Sequence, residues 1–208
     1  MLPLSFDELN KLVGYKRSMD FKTYFGEMRI SDVQKRKRIA LARKLEQEMI
    51  WLMSYMFYAR IQGISVSMDA INEIRRRYRA SLPEALIDLY IATHIDSVSV
   101  DIVDATNRHK EDPYFYSKDR ARLIAEGEAN SIFGYTEYEE AAKNKKYKTW
   151  LTIMDGHERD SHAEVNGVTL PISEPFVLRG GYLQFPKDDS MGASDEELVS
   201  CRCSLKFS

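Results

Sequence analysis

The 208-residue sequence has few cysteines and no long apolar segment, and these absences exclude several classes of protein. Its two cysteines cannot form a disulfide scaffold, which excludes the small disulfide-rich secreted folds. No apolar run approaches the roughly 20 residues that cross a bilayer. The first residues also lack the charged segment and apolar core of a signal peptide. We therefore expect a soluble protein in a reducing cytoplasm, with no membrane contact.

An excess of one charge sign is also missing, since 30 basic and 32 acidic side chains give a net charge of −2. The chain as a whole is therefore not a binder of polyanions. Local basic runs do occur, in the segments KRKRIALARK, RRRYR and KNKKYK. Such runs could contact the phosphates of DNA, or they could be solvated helix faces with acidic neighbours.

Helical periodicity dominates the first two thirds of the sequence. Apolar residues recur at steps of three and four over 35–61, which predicts an amphipathic helix that ends at Gly63. A shorter helix is predicted over 68–79. The segment SLPE has the form of a capping box, so Ser81 should begin a long helix that ends near Asn107. Ser117 is the predicted N-cap of a further helix.

The composition changes from Trp150 onward, where glycines and prolines separate short apolar runs such as VTLPI, PFVL, YLQF and CSLKF. These runs predict a small, loop-rich β region. The fold class expected is α+β, with a helical amino-terminal half and a small helix-plus-sheet carboxy-terminal domain. We place the boundary at the aromatic, proline-containing segment HKEDPYFYS, which gives domains of 1–112 and 113–208.

The segment MIWLMSYMFYARI is unusually apolar for a helix in a small domain. Such a run is most often part of a core, but the excess over one buried face favours docking on another protein. The side chains predicted to dock are Met49, Trp51, Leu52, Met53, Met56 and Phe57.

Both cysteines lie in the final segment SCRCSLKFS. On a strand, Cys201 and Cys203 would point to the same face, with Cα atoms roughly 6.6 Å apart. This spacing suits two thiolates on one tetrahedral metal ion better than a mutual disulfide. Asp155, His157 and His162 are the candidates for further ligands, so a structural zinc site is one interpretation. The other is that two small thiols pack under the sheet.

The segment DGHERDSH also contains residues that could carry out catalysis. Arg159 and His162 could stabilise and protonate a phosphate in a metal-independent nuclease, with Asp155 beside them. The alternative is structural, with Asp155 and Arg159 pairing to fix the loop.

Taken together, the segments ARLIAEGEANSIF, YKTWLTIMDGHERDSHAEVNG, LPISEPF, YLQFP and CRC resemble the Mu F-like head morphogenesis family of tailed phages. The resemblance covers residues 118–205, and it depends on the order and spacing of the segments. The positions that correspond to the family signature are Glu128, Trp150, Asp155, Arg159, His162, Gly167, Cys201, Arg202 and Cys203.

The resemblance implies a minor capsid protein, not an enzyme, that acts in head morphogenesis at the portal vertex of the virion. It implies assembly in the host cytoplasm and a role in DNA packaging or ejection. The portal protein is the implied partner, with the major capsid or scaffolding protein and packaged DNA as further ones. The chain departs from the family pattern at Gly127 and Ser200, where relatives often have threonine and asparagine. An asparagine-dependent active site is therefore not expected.

Overall fold

The computed structural model describes residues 5–13, 20–66 and 68–208. Short 3-10 helices lie at Glu84–Leu86 and Pro113–Tyr116. Among the described residues, no helix combines the length and apolarity needed to cross a membrane. The α-helices of the described residues are α1 (Phe6–Val13), α2 (Phe21–Gly26), α3 (Asp32–Gln62), α4 (Met68–Ser81), α5 (Leu89–Arg108), α6 (Lys118–Ala142), α7 (Asp160–Glu164) and α8 (Asp195–Leu198).

All strands of the described residues lie in the last third of the chain, as predicted from its glycine- and proline-rich composition. In the larger sheet β1 is central and pairs antiparallel with both β2 and β5. A separate antiparallel pair joins β3 to β4. This arrangement confirms the predicted α+β class. The strands are β1 (Tyr147–Leu151), β2 (Thr169–Pro171), β3 (Phe176–Leu178), β4 (Gly181–Leu183) and β5 (Ser204–Phe207).

The chain divides into two compact units, each discontinuous in sequence. Unit 1 consists of Met1–Ser18 and Leu41–Ala125, and unit 2 of Met19–Ala40 and Glu126–Ser208. This division differs from the predicted boundary between residues 112 and 113. The reason is that α3 and α6 each contribute residues to both units, so no single linker separates them.

The core of unit 1 is formed by the apolar stripes that the sequence shows. The residues of the α3 stripe are each less than 5% exposed, and three members of the α5 stripe are also buried. Burial of these side chains is the main source of stability for helices that would be marginal alone. The buried stripe residues are Leu41, Leu45, Met49, Leu52 and Met56 on α3, and Ile91, Ile95 and Ile102 on α5.

The same burial contradicts the predicted docking surface on α3. Met49, Leu52, Met53, Met56 and Phe57 are all buried inside unit 1, where they cannot contact a partner without a rearrangement.

The sixth residue of that predicted surface, Trp51, is only partly buried. Its ring stacks on Tyr55, with 5.7 Å between centroids, and lies 4.1 Å from the guanidinium carbon of Arg77. The excess apolar surface that motivated the docking prediction is thus used largely within the unit.

Helix starts were predicted with mixed success. Ser117 caps α6 as expected, accepting a hydrogen bond from the amide of Arg120 at 3.2 Å. Ser81 does not begin a helix. It is the last residue of α4, and its hydroxyl donates to the Arg77 carbonyl. The N-cap of α5 is Asp88, whose carboxylate accepts from the amide of Ile91 at 2.9 Å.

Unit 2 has its own core, formed where the larger sheet meets the β3–β4 pair. The side chains of Trp150 and Leu183 are fully buried there, and both cysteines belong to the same cluster. The cysteines do not lie on a strand as predicted. They precede β5, in an extended segment that follows Ser200, a residue with a positive φ of 57°.

Candidate functional site

Three residues that the sequence suggested as metal ligands meet in the interior of unit 2. His162 lies on the short helix α7, while Cys201 and Cys203 lie between α8 and β5. Nδ1 of His162 is 3.3 Å from Sγ of Cys203 and 3.7 Å from Sγ of Cys201. All three side chains are buried, and their ligand atoms lie within 4.8 Å of one another.

The imidazole of His162 is oriented by Glu197, a buried residue of α8. Nε2 of His162 lies 2.9 Å from Oε2 of Glu197. The same carboxylate accepts from the hydroxyl of Ser161 at 2.8 Å and from the amide of Gly180 at 2.9 Å. Because Nε2 is engaged with a carboxylate, Nδ1 is the nitrogen that faces the sulfur atoms.

Trp150 and Thr152 support the opposite side of the cluster. The Trp150 indole packs edge-on against the His162 ring at 5.6 Å between centroids, and its N–H donates to the Thr152 hydroxyl. That hydroxyl in turn donates to the carbonyl of His162 at 2.8 Å, and it lies 3.5 Å from Sγ of Cys203. The ring of His162 is thus fixed from both sides.

The two thiols have opposite tendencies to ionise. The hydrogen bond from Cys203, with a further contribution from His162, holds the pKa of Cys201 well below its ordinary value although burial opposes this. The pKa of Cys203 is raised by the same hydrogen bond and by burial. For His162, burial acts to lower the pKa, but the interaction with Cys201 outweighs it and the pKa is raised. Of the two thiols, Cys201 is therefore the one that ionises more readily.

A small cavity of about 30 Å³ adjoins the cluster. It is lined on one side by His162 and the cysteines, and on the other by the loop that contains His157 and Glu158. A volume of this size holds about one water molecule or one ion. Of the further ligands suggested by the sequence, His157 therefore lies beside the cluster.

Asp155, the remaining candidate ligand, is engaged elsewhere. Its carboxylate accepts from Arg202 at 2.5 Å and from the amide of His157 at 3.1 Å. Arg202 also pairs with Glu27 at 2.6 Å. Burial acts to raise the pKa of Asp155, but the hydrogen bonds from Arg202 and His157 lower it overall. This ion pair connects the loop to the segment of the cysteines.

Arg159 makes a second connection between the same two segments. Its guanidinium donates to the carbonyl of Val199, two residues before Cys201. The predicted pairing of Arg159 with Asp155 is not observed, since Arg202 is the partner of Asp155. The arginines of the family signature therefore join the loop to the last segment of the chain.

Two further signature residues, Gly167 and Glu128, contribute to the structure around the site. Gly167 has a φ of 82°, a conformation that glycine adopts without strain, and its amide donates to the carbonyl of Trp150 at 2.8 Å. Glu128 lies partly buried on α6. Burial of the Lys187 ammonium lowers the pKa of Lys187, and the negative charge of Glu128 opposes this change in part.

Glu197 and Gly180 belong to the site but were not predicted. Glu197 lies in the acidic run SDEEL, which is typical of a solvated helix, so the sequence carried no signal that one of its carboxylates is buried. Gly180 allows the close approach of that carboxylate, because a Cβ there would lie 2.7 Å from Cγ of Glu197. In the sequence, the adjacent glycines Gly180 and Gly181 indicated only a turn.

One of the basic runs is mainly paired with acidic side chains. In RRRYR, Arg76 and Arg77 both bind Glu73, and Arg75 lies 3.2 Å from Asp96. These contacts favour the interpretation of this run as an ion-paired helix face.

Comparison with known proteins identifies the family. A family model described as "Phage Mu protein F like protein" matches residues 100–206, just over half of the chain. The chain belongs to this family. The match confirms the resemblance found in the sequence, and it points to a bacteriophage protein of head morphogenesis. The matched region also includes His162, Cys201 and Cys203, the three residues of the buried cluster.

One curated relative is an "NAD(+)--arginine ADP-ribosyltransferase EFV" from Enterococcus faecalis (strain ATCC 700802 / V583). It is 25% identical over 208 residues, which cover 98% of this chain and 40% of that protein. The chain thus spans well under half of that relative. No solved structure matches the chain significantly.

Proposed function

We propose that this Mu F-like protein is a minor head protein that binds the portal vertex of a phage head and assists DNA packaging or ejection. The observation that carries the proposal is the family match over residues 100–206. Its location is then the virion, with the portal protein as the main partner and the major capsid or scaffolding protein as neighbours.

The helical unit 1 is the part that we assign to docking. Because the α3 residues first suggested for this role are buried, the contact surface must use other side chains. Among the described residues of unit 1, four large apolar side chains are more than half exposed, and such residues are favoured at protein interfaces. They are Tyr58, Ile64, Met68 and Leu89, of which Leu89 is 84% exposed.

Co-expression with the portal protein of the same phage genome, followed by size-exclusion chromatography, tests the proposal. We expect the chain to elute with the portal ring. Replacement of Leu89 or Met68 by aspartate should raise the Kd for the portal ring at least ~10-fold, because a charge desolvated at an apolar contact costs more than about 1.4 kcal/mol.

Val177→Asp is the matched control, since Val177 is a comparably exposed residue (63%) on β3 of unit 2. This variant should bind like the unaltered chain. Elution of the unaltered chain as a free monomer beside an unoccupied ring would contradict portal binding. Loss of binding in Val177→Asp alone would assign docking to unit 2 instead.

A non-enzymatic role is part of the proposal, although nuclease chemistry by Asp155, Arg159 and His162 was an alternative. The His162 side chain is 2% exposed, and both ring nitrogens face buried groups of the chain. A general acid must reach the substrate. We therefore expect purified protein to leave RNA and duplex DNA intact in a gel assay. Cleavage that co-elutes with the chain during sizing would overturn this expectation.

The activity in the name of the Enterococcus relative is not transferred to this chain, because the matched region is only 40% of that protein.

Contact with packaged DNA also stays a proposal. Its test is filter binding over a range of salt concentrations, where several phosphate contacts would give a steep decrease in affinity with salt.

A further inference from the structure

The separations within the buried cluster match those of a tetrahedral metal site. A tetrahedral zinc ion with Zn–S bonds of about 2.3 Å and Zn–N bonds of about 2.05 Å places sulfur and nitrogen ligands about 3.6 Å apart. The structure gives 3.3 Å and 3.7 Å between Nδ1 of His162 and the two sulfur atoms. Both nitrogen–sulfur separations are therefore within a few tenths of an ångström of the tetrahedral value, and all three ligand atoms lie within 4.8 Å of one another.

The residues around the cluster supply the support that a metal-bound histidine requires. Histidines that bind metals usually donate their other N–H to a carboxylate or carbonyl, which fixes the ring. Glu197 is such a partner for Nε2 of His162, at 2.9 Å. The Ser161 hydroxyl and the Gly180 amide both donate to this carboxylate and hold it in place. These two hydrogen bonds thus fix the group that orients the His162 ring.

A fourth ligand is available from the neighbouring loop. His157 lines the cavity of about 30 Å³ beside the sulfur atoms. The His157 residue is exposed and its loop carries Gly156, whose φ of 81° allows a tight turn. A movement of this loop toward the cavity would bring the His157 imidazole to the ion. Asp155 is less suitable, because its carboxylate is held by Arg202.

We infer that Cys201, Cys203 and His162 bind one zinc ion through their two sulfur atoms and Nδ1, with His157 as the fourth ligand. Two sulfur and two nitrogen ligands are a set that zinc prefers among the abundant divalent ions. On binding, the ion displaces the protons that the two sulfur atoms and Nδ1 carry, and these protons pass to solvent. The inference is independent of the proposed role at the portal.

The zinc ion would act as a cross-link within unit 2. His162 and the cysteines are separated by about forty residues, and in the metal-free chain only a few hydrogen bonds join α7 to the segment that leads into β5. Binding to a site that exists only in the folded state stabilises that state. The ion therefore fixes the last segment of the chain to α7 and to the loop that contains His157.

Metal analysis of the purified full-length chain is the first test. After expression in zinc-supplemented medium and purification without chelator, we expect about one zinc per chain. Cys201→Ser and Cys203→Ser should each retain less than about 0.2 zinc per chain. His157→Ala should bind zinc with an affinity at least ~10-fold lower, whereas His109→Ala, which removes an exposed histidine of unit 1, should keep full occupancy.

Because a cysteine variant can fail to fold, cobalt substitution of the unaltered chain gives an independent measurement. Replacement of zinc by Co²⁺ should produce the intense visible absorption of a tetrahedral, thiolate-bound cobalt ion. Removal of the metal by a chelator should lower Tm by at least ~5 °C, and addition of zinc should restore it. A folded chain that contains less than 0.1 zinc, takes up none on titration and gives no such spectrum would overturn the inference. Full zinc occupancy in both cysteine variants would overturn it as well.

Discussion

Glu197 accepts hydrogen bonds from His162, Ser161 and the amide of Gly180 within the interior of unit 2. Burial acts to raise the pKa of this carboxyl, but the bonds from Ser161, Gly180 and His162 lower it overall, so it is ionised at neutral pH. A buried carboxylate with three donors determines the position of each donor. Removal of the carboxylate would leave all three donors without this acceptor.

We predict that Glu197→Ala lowers the free energy of unfolding by at least ~3 kcal/mol, since each unsatisfied buried donor costs about 1–3 kcal/mol. Glu196→Ala is the control, because Glu196 is an exposed neighbour on the same helix, α8. Urea denaturation followed by far-UV circular dichroism measures both variants. Equal losses in the two variants would show that the helix, not the carboxylate, is responsible.

Lys148 is a second buried charge of unit 2, and it predicts a dependence of stability on pH. Its ammonium donates to the carbonyl and the side-chain oxygen of Gln184. Burial lowers the pKa of Lys148 from 10.5 to about 8, although Asp188 opposes the change. Between about pH 8 and 10.5 the unfolded chain therefore binds more protons than the folded chain, and the contribution of Lys148 to stability rises with pH in this window.

The comparison with Lys148→Met isolates this effect, because all other titrating groups are common to both chains. We expect the unfolding free energy of the unaltered chain to rise relative to that of Lys148→Met between pH 8 and pH 10. The relative slope should not exceed about 1.4 kcal/mol per pH unit, the value for one full proton. Below pH 8 the difference should be constant. A difference that decreases between pH 8 and pH 10 would contradict the lowered pKa.

At the level of helices, α5 begins at a different residue from the one that the sequence pattern predicted. Both the SLPE segment and Asp88 can begin a helix, and the chain uses Asp88. The residues between them form a 3-10 turn at Glu84–Leu86, so the ordered helix starts later than predicted. A capping box and an aspartate seven residues later have similar local energies, and packing of the neighbouring residues decides between them.

We predict that Asp88→Ala lowers the free energy of unfolding by about 1 kcal/mol, the usual cost of losing an N-cap side chain. Asp104→Ala should have little effect, because Asp104 is an exposed residue in the second half of the same helix. Thermal denaturation followed by circular dichroism compares the two. A loss confined to Asp104→Ala would exclude the assigned cap.

The helices and strands were predictable where apolar residues recur periodically. The burial of single residues was less predictable where contacts between distant segments determine it. The steps of three and four that begin at Leu41 predicted α3, and the short apolar runs predicted the strands. In the basic run KRKR only Arg38 is buried, where it pairs with Glu137 at 2.7 Å. The sequence cannot distinguish Arg38 from its exposed neighbours, because the partner lies ninety-nine residues away.

The candidate site was predictable in part for the same reason. The spacing of Cys201 and Cys203 and the nearby histidines suggested the ligands directly. No sequence pattern indicated that Glu197 is buried in the site or that Arg202 pairs with Asp155. Each of these depends on which distant segments pack together.

At the level of the whole molecule, two arginines of the family signature connect distant segments of unit 2. Arg159 donates to the carbonyl of Val199, and Arg202 pairs with Asp155, so both arginines join one loop to the last segment of the chain. The buried cluster of His162 and the cysteines lines the same small cavity as these two arginines. The signature thus accounts for how a small, loop-rich unit keeps its carboxy-terminal strand in place.

Zinc K-edge X-ray absorption of the purified full-length protein tests the central claim, that this signature is closed by one metal ion, most directly. The account predicts two sulfur neighbours at about 2.3 Å and two nitrogen neighbours at about 2.0–2.1 Å. In His157→Ala one nitrogen neighbour should be lost or replaced by oxygen. A spectrum with only oxygen and nitrogen neighbours, or no bound zinc at all, would contradict the account.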